Sequence, residues 1–320
     1  MVNFWEKLPK PFFVMAPMED VTDAAFRQMF ARYGKPHVTY TEFTSADGLV
    51  LAPEAGRRKL LKKLQYAENE RPIVAQLFSA VPERMEAAAK LVETLGFDGI
   101  DINMGCPDKA IEKQGCGAAL IKNPALAKEL MRAARRGAPN LPLSVKTRIG
   151  HGTDQLEEWM GELLSEEPAA LTLHLRTRKE MSDVPAHWER MHDAVKLRDS
   201  IGSKTLIVGN GDLKSIADAR NKALESGCDG AMLGRAIFGN PWLFAGAAEL
   251  ADRKPSERIA ALAEHLRLFD EFLTDTTHYA VMKKHFKAYI NGWDDAKDLR
   301  ARLMETDNVE EAVDLLANTL

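Results

Sequence analysis

Gly99-Ile100-Asp101-Ile102-Asn103-Met104-Gly105-Cys106-Pro107 is the stretch from which the architecture can be read. Apolar Ile100 and Ile102 alternate with polar Asp101 and Asn103, and that period of two fits a buried β-strand. The strand stops at Gly105-Cys106-Pro107, because Pro107 has no N–H for a ladder and Gly105 tolerates backbone angles that other residues avoid. A lone thiol is thereby aimed off the strand's C-terminal end, a place where parallel α/β proteins often put their chemistry. Two readings of Cys106 stand at this point: an inert buried thiol of the common kind, or a reactive group.

Outward from this stretch the same kind of run recurs. Short apolar, partly β-branched segments lie at Phe12–Met15, Val38–Thr41, Ile73–Phe78, Gly99–Asn103, Leu143–Thr147, Ala170–His174, Thr205–Gly209 and Gly230–Leu233. Helical periodicity fills the gaps, most clearly over Asp23–Tyr33, Pro82–Leu95, Pro124–Arg136, Asp154–Glu166 and Leu213–Ser226. Pro82 and Pro124 stand where prolines open helices, and Ser226-Gly227 reads as a helix stop. Strands alternating with helices predict a parallel sheet with right-handed crossovers. This many units match a (β/α)8 TIM barrel of roughly 250 residues, whereas an open doubly wound sheet needs fewer.

The strand ends carry the functional signal. They read Pro17-Met18-Glu19, Glu42, Gln76, Asn103 with Cys106, Lys146 with Arg148, His174 with Arg176, Asn210-Gly211-Asp212, and Gly234-Arg235. Barrel enzymes build their sites from these ends, and often hold a phosphate at the last two loops. Glycines at Gly211 and Gly234 let backbone amides approach phosphate oxygens, and Arg235 adds a charged fork. No GxGxxG follows the first strand and no GxxxxGK[ST] occurs, which disfavours a Rossmann dinucleotide site and a P-loop. Lys146 inside an apolar strand asks for an anionic partner. With amides at Gln76 and Asn103 and a donor at His174, the set suggests flavin mononucleotide (FMN), ring over the first five strands, phosphate at the last two. Taken alone, His174 also reads as a satisfied core histidine.

Beyond Asn240-Pro241-Trp242 the chain becomes helical, with amphipathic segments at Pro255–Thr274, Thr277–Ile290, Asp295–Glu305 and Val309–Leu316. The expected organisation is a barrel over 1–243 and a small all-helical domain over 244–320. The 320-residue chain is 28% charged with a net charge of −4, so a polyanionic partner has to be met by a local basic patch. Two such groups occur. One is Lys283, Lys284 and Lys287 with Lys297, Arg300 and Arg302; the other is Arg57-Arg58-Lys59 with Lys62 and Lys63. Each reads either as a solvated helix face or as a docking patch. No apolar run nears the ~20 residues that span a bilayer, and no signal-peptide cleavage pattern is seen. Cys106, Cys116 and Cys228 make neither a disulfide framework nor a zinc pair, so the expected compartment is the reducing cytoplasm, with no metal.

The ordered motifs APMEDVTDAAFR, VAQLF, DINMGCPDKAIEKQGCGAAL, SVKTRIG, LHLRTR, VGNGD and LGRAIFGNPWLF resemble those of the tRNA-dihydrouridine synthases over nearly the whole chain. The resemblance implies reduction of particular tRNA uridines to 5,6-dihydrouridine, with NADPH (or NADH) reducing the FMN and hydride passing to uracil C6. It further implies that Cys106 donates a proton to C5, and that Pro17, Met18, Glu19, Gln76, Asn103, Lys146 and His174 surround the flavin. Asn210, Gly211, Asp212, Gly234 and Arg235 would hold its ribityl phosphate side. For a tRNA partner, the density of positive charge points to Lys283, Lys284, Lys287 and Arg300. A monomer is expected. One departure stands out: after HLRTR many members carry a glycine-tyrosine pattern, where this chain has Lys179-Glu180-Met181-Ser182-Asp183-Val184-Pro185. Two alternatives remain: a dihydroorotate-dehydrogenase-like barrel acting on a free small molecule, and a catalytically idle RNA-binding barrel.

Overall fold

The computed structural model describes residues 3–246 and 253–319. Strands β1 (Phe12–Met15), β2 (Thr39–Tyr40), β3 (Thr44–Ser45), β4 (Ile73–Phe78), β5 (Gly99–Met104), β6 (Leu143–Arg148), β7 (Ala170–His174), β8 (Leu206–Asn210) and β9 (Gly230–Leu233) form one sheet. Its order is β1-β9-β8-β7-β6-β5-β4-β2, with β3 also on β4. The ring closes where Val14 bridges Val38 in parallel and the Met15 N–H donates to the Val38 carbonyl at 3.3 Å. The expected (β/α)8 barrel is therefore present, with one correction: its second strand is broken in two, both pieces pairing with β4. Between them the hydroxyls of Thr41 and Thr44 bond the Glu42 carbonyl at 2.9 and 3.4 Å, and such local bonds compete with a ladder.

Around the ring lie α1 (Ala24–Tyr33), α2 (Ala46–Leu51), α3 (Glu54–Lys63), α4 (Pro82–Thr94), α5 (Lys109–Lys113), α6 (Pro124–Gly137), α7 (Leu156–Leu164), α8 (Glu189–Ser200) and α9 (Ile216–Ser226). Their ends follow the sequence cues. The Asp23 carboxylate accepts from the Phe26 N–H at 2.8 Å to start α1, and Ser215 caps α9, which begins three residues later than its periodicity predicts. Gly227, at φ 74°, ends α9 in the left-handed region.

The alternation in β5 separates two environments. Ile100, Ile102 and Met104 join Ala88 and Ala89 of α4 and Leu130 and Ala134 of α6 in the largest core. Each large side chain buried there contributes about 1.5–3 kcal/mol, and Ile102→Ala would cost about 2–5. Asp101 and Asn103 face the other way, into the barrel. The barrel interior is filled by Trp5, Phe12, Val14, Tyr40, Val74, Val208 and Met232. Polar side chains are left to line the C-terminal mouth.

The C-terminal helices are α10 (Pro255–Leu273), α11 (Lys283–Tyr289), α12 (Ala296–Glu305) and α13 (Val309–Ala317). Thr277–Ile290 is not one helix, as its pattern suggested. A 3-10 turn, Tyr279–Met282, precedes α11, because His278 caps the turn by accepting from the Ala280 N–H at 3.1 Å. Leu262, Leu266, Phe269, Phe286, Leu303 and Leu316 form this segment's core, and Ala25 and Met29 of α1 complete it. The segment 244–320 thus shares its core with the barrel, and 247–252 and 320 lie outside the described residues. No described helix is long and apolar enough to cross a membrane.

Candidate active site

The strand ends converge on a cavity of about 630 Å³, within the range of small-molecule sites. Pro17, Met18, Glu19, Gln76, Asn103, Cys106, Lys146, His174, Asn210, Gly211, Asp212, Gly234 and Arg235 all line it, as expected of one site. Arg148, Arg176 and Ser182 line it too; the two arginines were visible as strand-end residues but had no assigned role.

Cys106 sits on a turn that Asn103 builds. Asn103 Oδ1 accepts from the backbone N–H groups of Gly105 at 3.1 Å and Cys106 at 2.9 Å. The Asn103 amide donates to Gln76 Oε1 at 3.1 Å, Gln76 Nε2 donates to Asp101 Oδ2 at 2.7 Å, and the Ser144 hydroxyl donates to Asp101 Oδ1 at 2.6 Å. Gln76 and Asn103, read from sequence as ring-binding amides, therefore form the buried foundation of the thiol's turn, and each keeps one amide hydrogen for a ligand. From the other side, the Ala118 N–H donates to the Cys106 carbonyl at 3.0 Å. Gly117, at φ +60°, approaches so closely that a Cβ would meet that carbonyl oxygen at 2.7 Å. GCGAAL is thus the seat of the Cys106 loop. Cys116 is buried in it, its thiol pushed up to about 12 by burial. Burial also raises the half-buried Cys106 thiol, which keeps its proton at neutral pH.

The carboxyl whose charge Lys146 senses is Asp101, which sequence reading passed over, though no ion pair joins the two. Burial, then Arg148, lowers the Lys146 ammonium to about 8, while Asp101 works against them. Burial lifts the Asp101 carboxyl to about 6 despite Ser144, Gln76 and Lys146. The signal was available: Asp101 precedes Asn103 by two and shares its inward face. His174 is half-buried next to Arg176, whose Nη1 lies 3.2 Å from His174 Nε2. Since guanidinium only donates, Nε2 accepts and the ring proton sits on Nδ1. Burial and the cations Arg148, Lys146 and Arg176 hold His174 neutral, well below its ordinary range.

At the last two strands Asp212 receives Arg176, Arg235 and, at 2.9 Å, the Ala186 N–H. Burial would raise its carboxyl, but the hydrogen bonds from Arg176 and the Ala186 N–H, with the charges of Arg176 and Arg235, together hold it below its ordinary value. A carboxylate so held repels an anion. Asp212 lines the cavity as expected, and its side chain is engaged with Arg176 and Arg235. Gly211, at φ +135°, leaves no room for a side chain, since a Cβ would lie 2.6 Å from Ala186 Cβ. Asn210 ties β8 to β9 by donating to the Met232 carbonyl at 2.8 Å. Glu19, at the opposite rim, pairs with Lys63.

The basic residues divide. Lys283 Nζ donates to the Met304 carbonyl at 2.7 Å and Arg300 to the Ile290 carbonyl at 2.7 Å, so both close helix ends. Lys284 and Lys287 are exposed. In the second group Arg58 and Lys62 pair with Asp275 at 2.8 and 3.2 Å, joining α3 to the end of α10, while Arg57 and Lys59 are exposed.

Residues 14–320 match the family described as "Dihydrouridine synthase (Dus)". The chain is 41% identical over 316 residues to a Bacillus subtilis protein named probable tRNA-dihydrouridine synthase 2, covering 98% of this chain and 95% of that one. It is 40% identical over 316 residues to a Staphylococcus aureus (strain COL) probable tRNA-dihydrouridine synthase, covering 98% and 94%. Among solved structures, morphinone reductase in complex with tetrahydroNAD overlays with a TM-score of 0.53 at 15% identity, over 79% of this chain and 91% of that one. A 2-naphthoyl-CoA reductase complex overlays at 0.55 with 13% identity, over 73% and 49%. At such identities the likeness is one of fold.

Proposed function

Because the chain belongs to the dihydrouridine synthase family, we propose that it reduces uridines of tRNA to 5,6-dihydrouridine with FMN bound in the mouth, NADPH (or NADH) as reductant and Cys106 as proton donor. The observation that carries the reading is a free, half-buried thiol on the wall of a cavity whose other walls present unpaired donors. Lys146 Nζ and His174 Nδ1 have no acceptor among the described residues, which suits the electron-rich edge of a flavin ring. Arg235 and the backbone N–H groups of Gly211 and Asp212 suit its phosphate. What the flavin supplies when bound is hydride for uracil C6. Lys146 supplies positive charge beside it, and neutral His174 supplies a hydrogen bond without a second charge. Cys106 then gives its Sγ proton to C5, a general-acid role that asks for a thiol still protonated at the working pH. The Asn103 turn and the Gly117 seat hold Sγ for that transfer.

The base must leave the RNA stack to reach such a cavity. Exposed Lys284, Lys287, Lys297, Arg302, Arg57 and Lys59 are among the cations able to meet the RNA backbone, while Lys283 and Arg300 act indirectly by bracing α11 and α12. The reading includes a cytoplasmic monomer that uses no metal. The test is direct. The purified protein should release FMN on denaturation, be bleached by NADPH without oxygen, and be reoxidised by tRNA lacking dihydrouridine. Reoxidation by orotate and not by tRNA would move the protein to the small-molecule reductases; no bound flavin and no turnover would make it an RNA-binding barrel.

A further inference from the structure

Beyond helping to keep His174 neutral, Arg148 has no role in the scheme above, yet its guanidinium is among the most committed groups at the mouth. It is 5% exposed, and no carboxylate lies within ion-pairing distance among the described residues. Its hydrogen bonds go to main-chain carbonyls of two different loops. Nε donates to the Gly105 carbonyl at 2.8 Å, one residue before Cys106. Nη1 donates to the carbonyls of Thr177 and Met181, each at 3.1 Å, in the loop after β7. That loop contributes Ser182 to the cavity and runs through Lys179–Pro185, where the chain departs from the common family pattern.

We propose that Arg148 is a positioning residue that locks the Cys106 turn to the 177–181 loop, so that setting this loop against the substrate and aiming the thiol at C5 become one event. The inference rests on Cys106 being the proton donor. A second tie runs in parallel: Arg178 donates to the Pro107 carbonyl at 3.2 Å and pairs with Glu112, which His151 also contacts at 2.9 Å. Both carbonyls that flank Cys106 are thus held by arginines. Arg178 reaches its carbonyl from the 177–181 loop itself, and Arg148 bridges from β6. An unpaired buried cation also suits the step that follows. When the S–H bond breaks and the C5–H bond forms, the S–H electron pair stays on sulfur as thiolate, which water later reprotonates. Lys146 and Arg148 both lie close enough to Cys106 to favour a negative charge there, so the thiolate forms near cations. A lysine cannot reproduce the fork, because one ammonium cannot span three carbonyls on two loops with the same geometry.

The test is a double-mutant cycle on flavin reoxidation by tRNA, using Arg148→Met, Arg148→Lys and Cys106→Ala, each checked for wild-type flavin content and melting temperature. Arg148→Met is expected to slow reoxidation about 10- to 100-fold, of the size of a misplaced catalytic group, with NADPH reduction unchanged. Arg148→Lys should recover little of it. In the Cys106→Ala background, Arg148→Met should cost less than a further twofold, because the group it positions is gone. Hydrogen exchange should rise in Arg148→Met over both 105–108 and 177–181. If the two losses multiply, or exchange rises over only one loop, Arg148 is not a lock and the inference fails. Should Arg148→Met lose flavin or stability, Arg148→Lys carries the cycle with the same criterion. If Cys106→Ala reoxidises at the wild-type rate, it is the assignment of Cys106 that fails instead.

Discussion

The barrel mouth and its junction with the helical segment both bury ionisable groups, and they treat them in opposite ways. In the mouth, Ser144, Asp101, Gln76 and Asn103 form an unbroken hydrogen-bonded row ending at the Cys106 turn. At the junction His265 of α10 and His285 of α11 are fully buried, their ring centroids 4.9 Å apart among Phe26, Phe238 and Tyr289. Neither has a hydrogen-bond partner on either nitrogen among the described residues. A connected polar row fixes one geometry, whereas an apolar box holding two neutral imidazoles supplies packing and no direction. The contrast teaches that burial of polar groups does not by itself mark chemistry; their mutual connection, aimed at a cavity, does.

That contrast is most exposed to failure at Cys106. Cys106→Ala should bind flavin and accept hydride from NADPH normally, yet form dihydrouridine roughly 10²–10⁴-fold more slowly, as for a lost general acid. Cys116→Ala, in the loop's buried seat, should turn over within a few-fold of wild type. Single-turnover formation of dihydrouridine in the two variants checks the pair, and the reverse ranking would dissolve the special status of the mouth.

Acid should pull the two regions apart. Burial holds His285 down at about 3 and His265 well below its ordinary range. Unfolded histidine takes up a proton near ~6.5. The junction's stability is therefore complete above that pH and is lost as pH falls through the window toward 3, on the order of 1 kcal/mol per histidine per pH unit. In the mouth, burial raises Asp101 to about 6, so the folded chain binds that proton more readily than the unfolded one, with the opposite sign. Urea unfolding at pH 7.0 and 5.5 should show His265→Leu with His285→Leu shrinking the acid loss by about 2 kcal/mol. An unchanged difference would mean that the junction's histidines are solvated.

A smaller effect is expected at the phosphate side. Arg235→Ala should weaken flavin retention by about 1.5 kcal/mol, near tenfold, because Arg235 is exposed and contributes one charged fork. Asp212→Asn should weaken it less, by freeing Arg235 to move. Equilibrium dialysis of FMN checks both, and greater loss from Asp212→Asn would place that carboxylate in direct contact. The smallest effects belong to the helical segment's surface. Lys284→Glu with Lys287→Glu should leave flavin reduction unchanged and lower the salt dependence of tRNA binding by about one logarithmic unit per lysine. Lys283→Glu should act mainly on stability, since its ammonium closes the end of α12. Salt slopes indistinguishable from wild type would return Lys284 and Lys287 to a solvated face.

The sequence alone determined the barrel, because the period-two runs, proline helix starts and glycine stops are local and repeat around the ring. It also determined the membership of the mouth, since polar residues at the ends of buried strands have few places to point. The roles inside the mouth were decided by tertiary structure. How the Asn103 amide is held while its oxygen builds the Cys106 turn depends on Gln76, one strand away and itself fixed by Asp101. How the Asp212 side chain is engaged depends on Arg176 from β7's end and on Arg235. Lys283 and Lys284 are neighbours of one residue type, yet only the carbonyl of Met304, brought up by α12, separates a helix brace from a free cation. Hydrogen bonds and ion pairs are short-ranged, so a side chain's use is set by whichever atoms the fold brings within about 3 Å. Those atoms are remote in the chain, and no pattern along it records them.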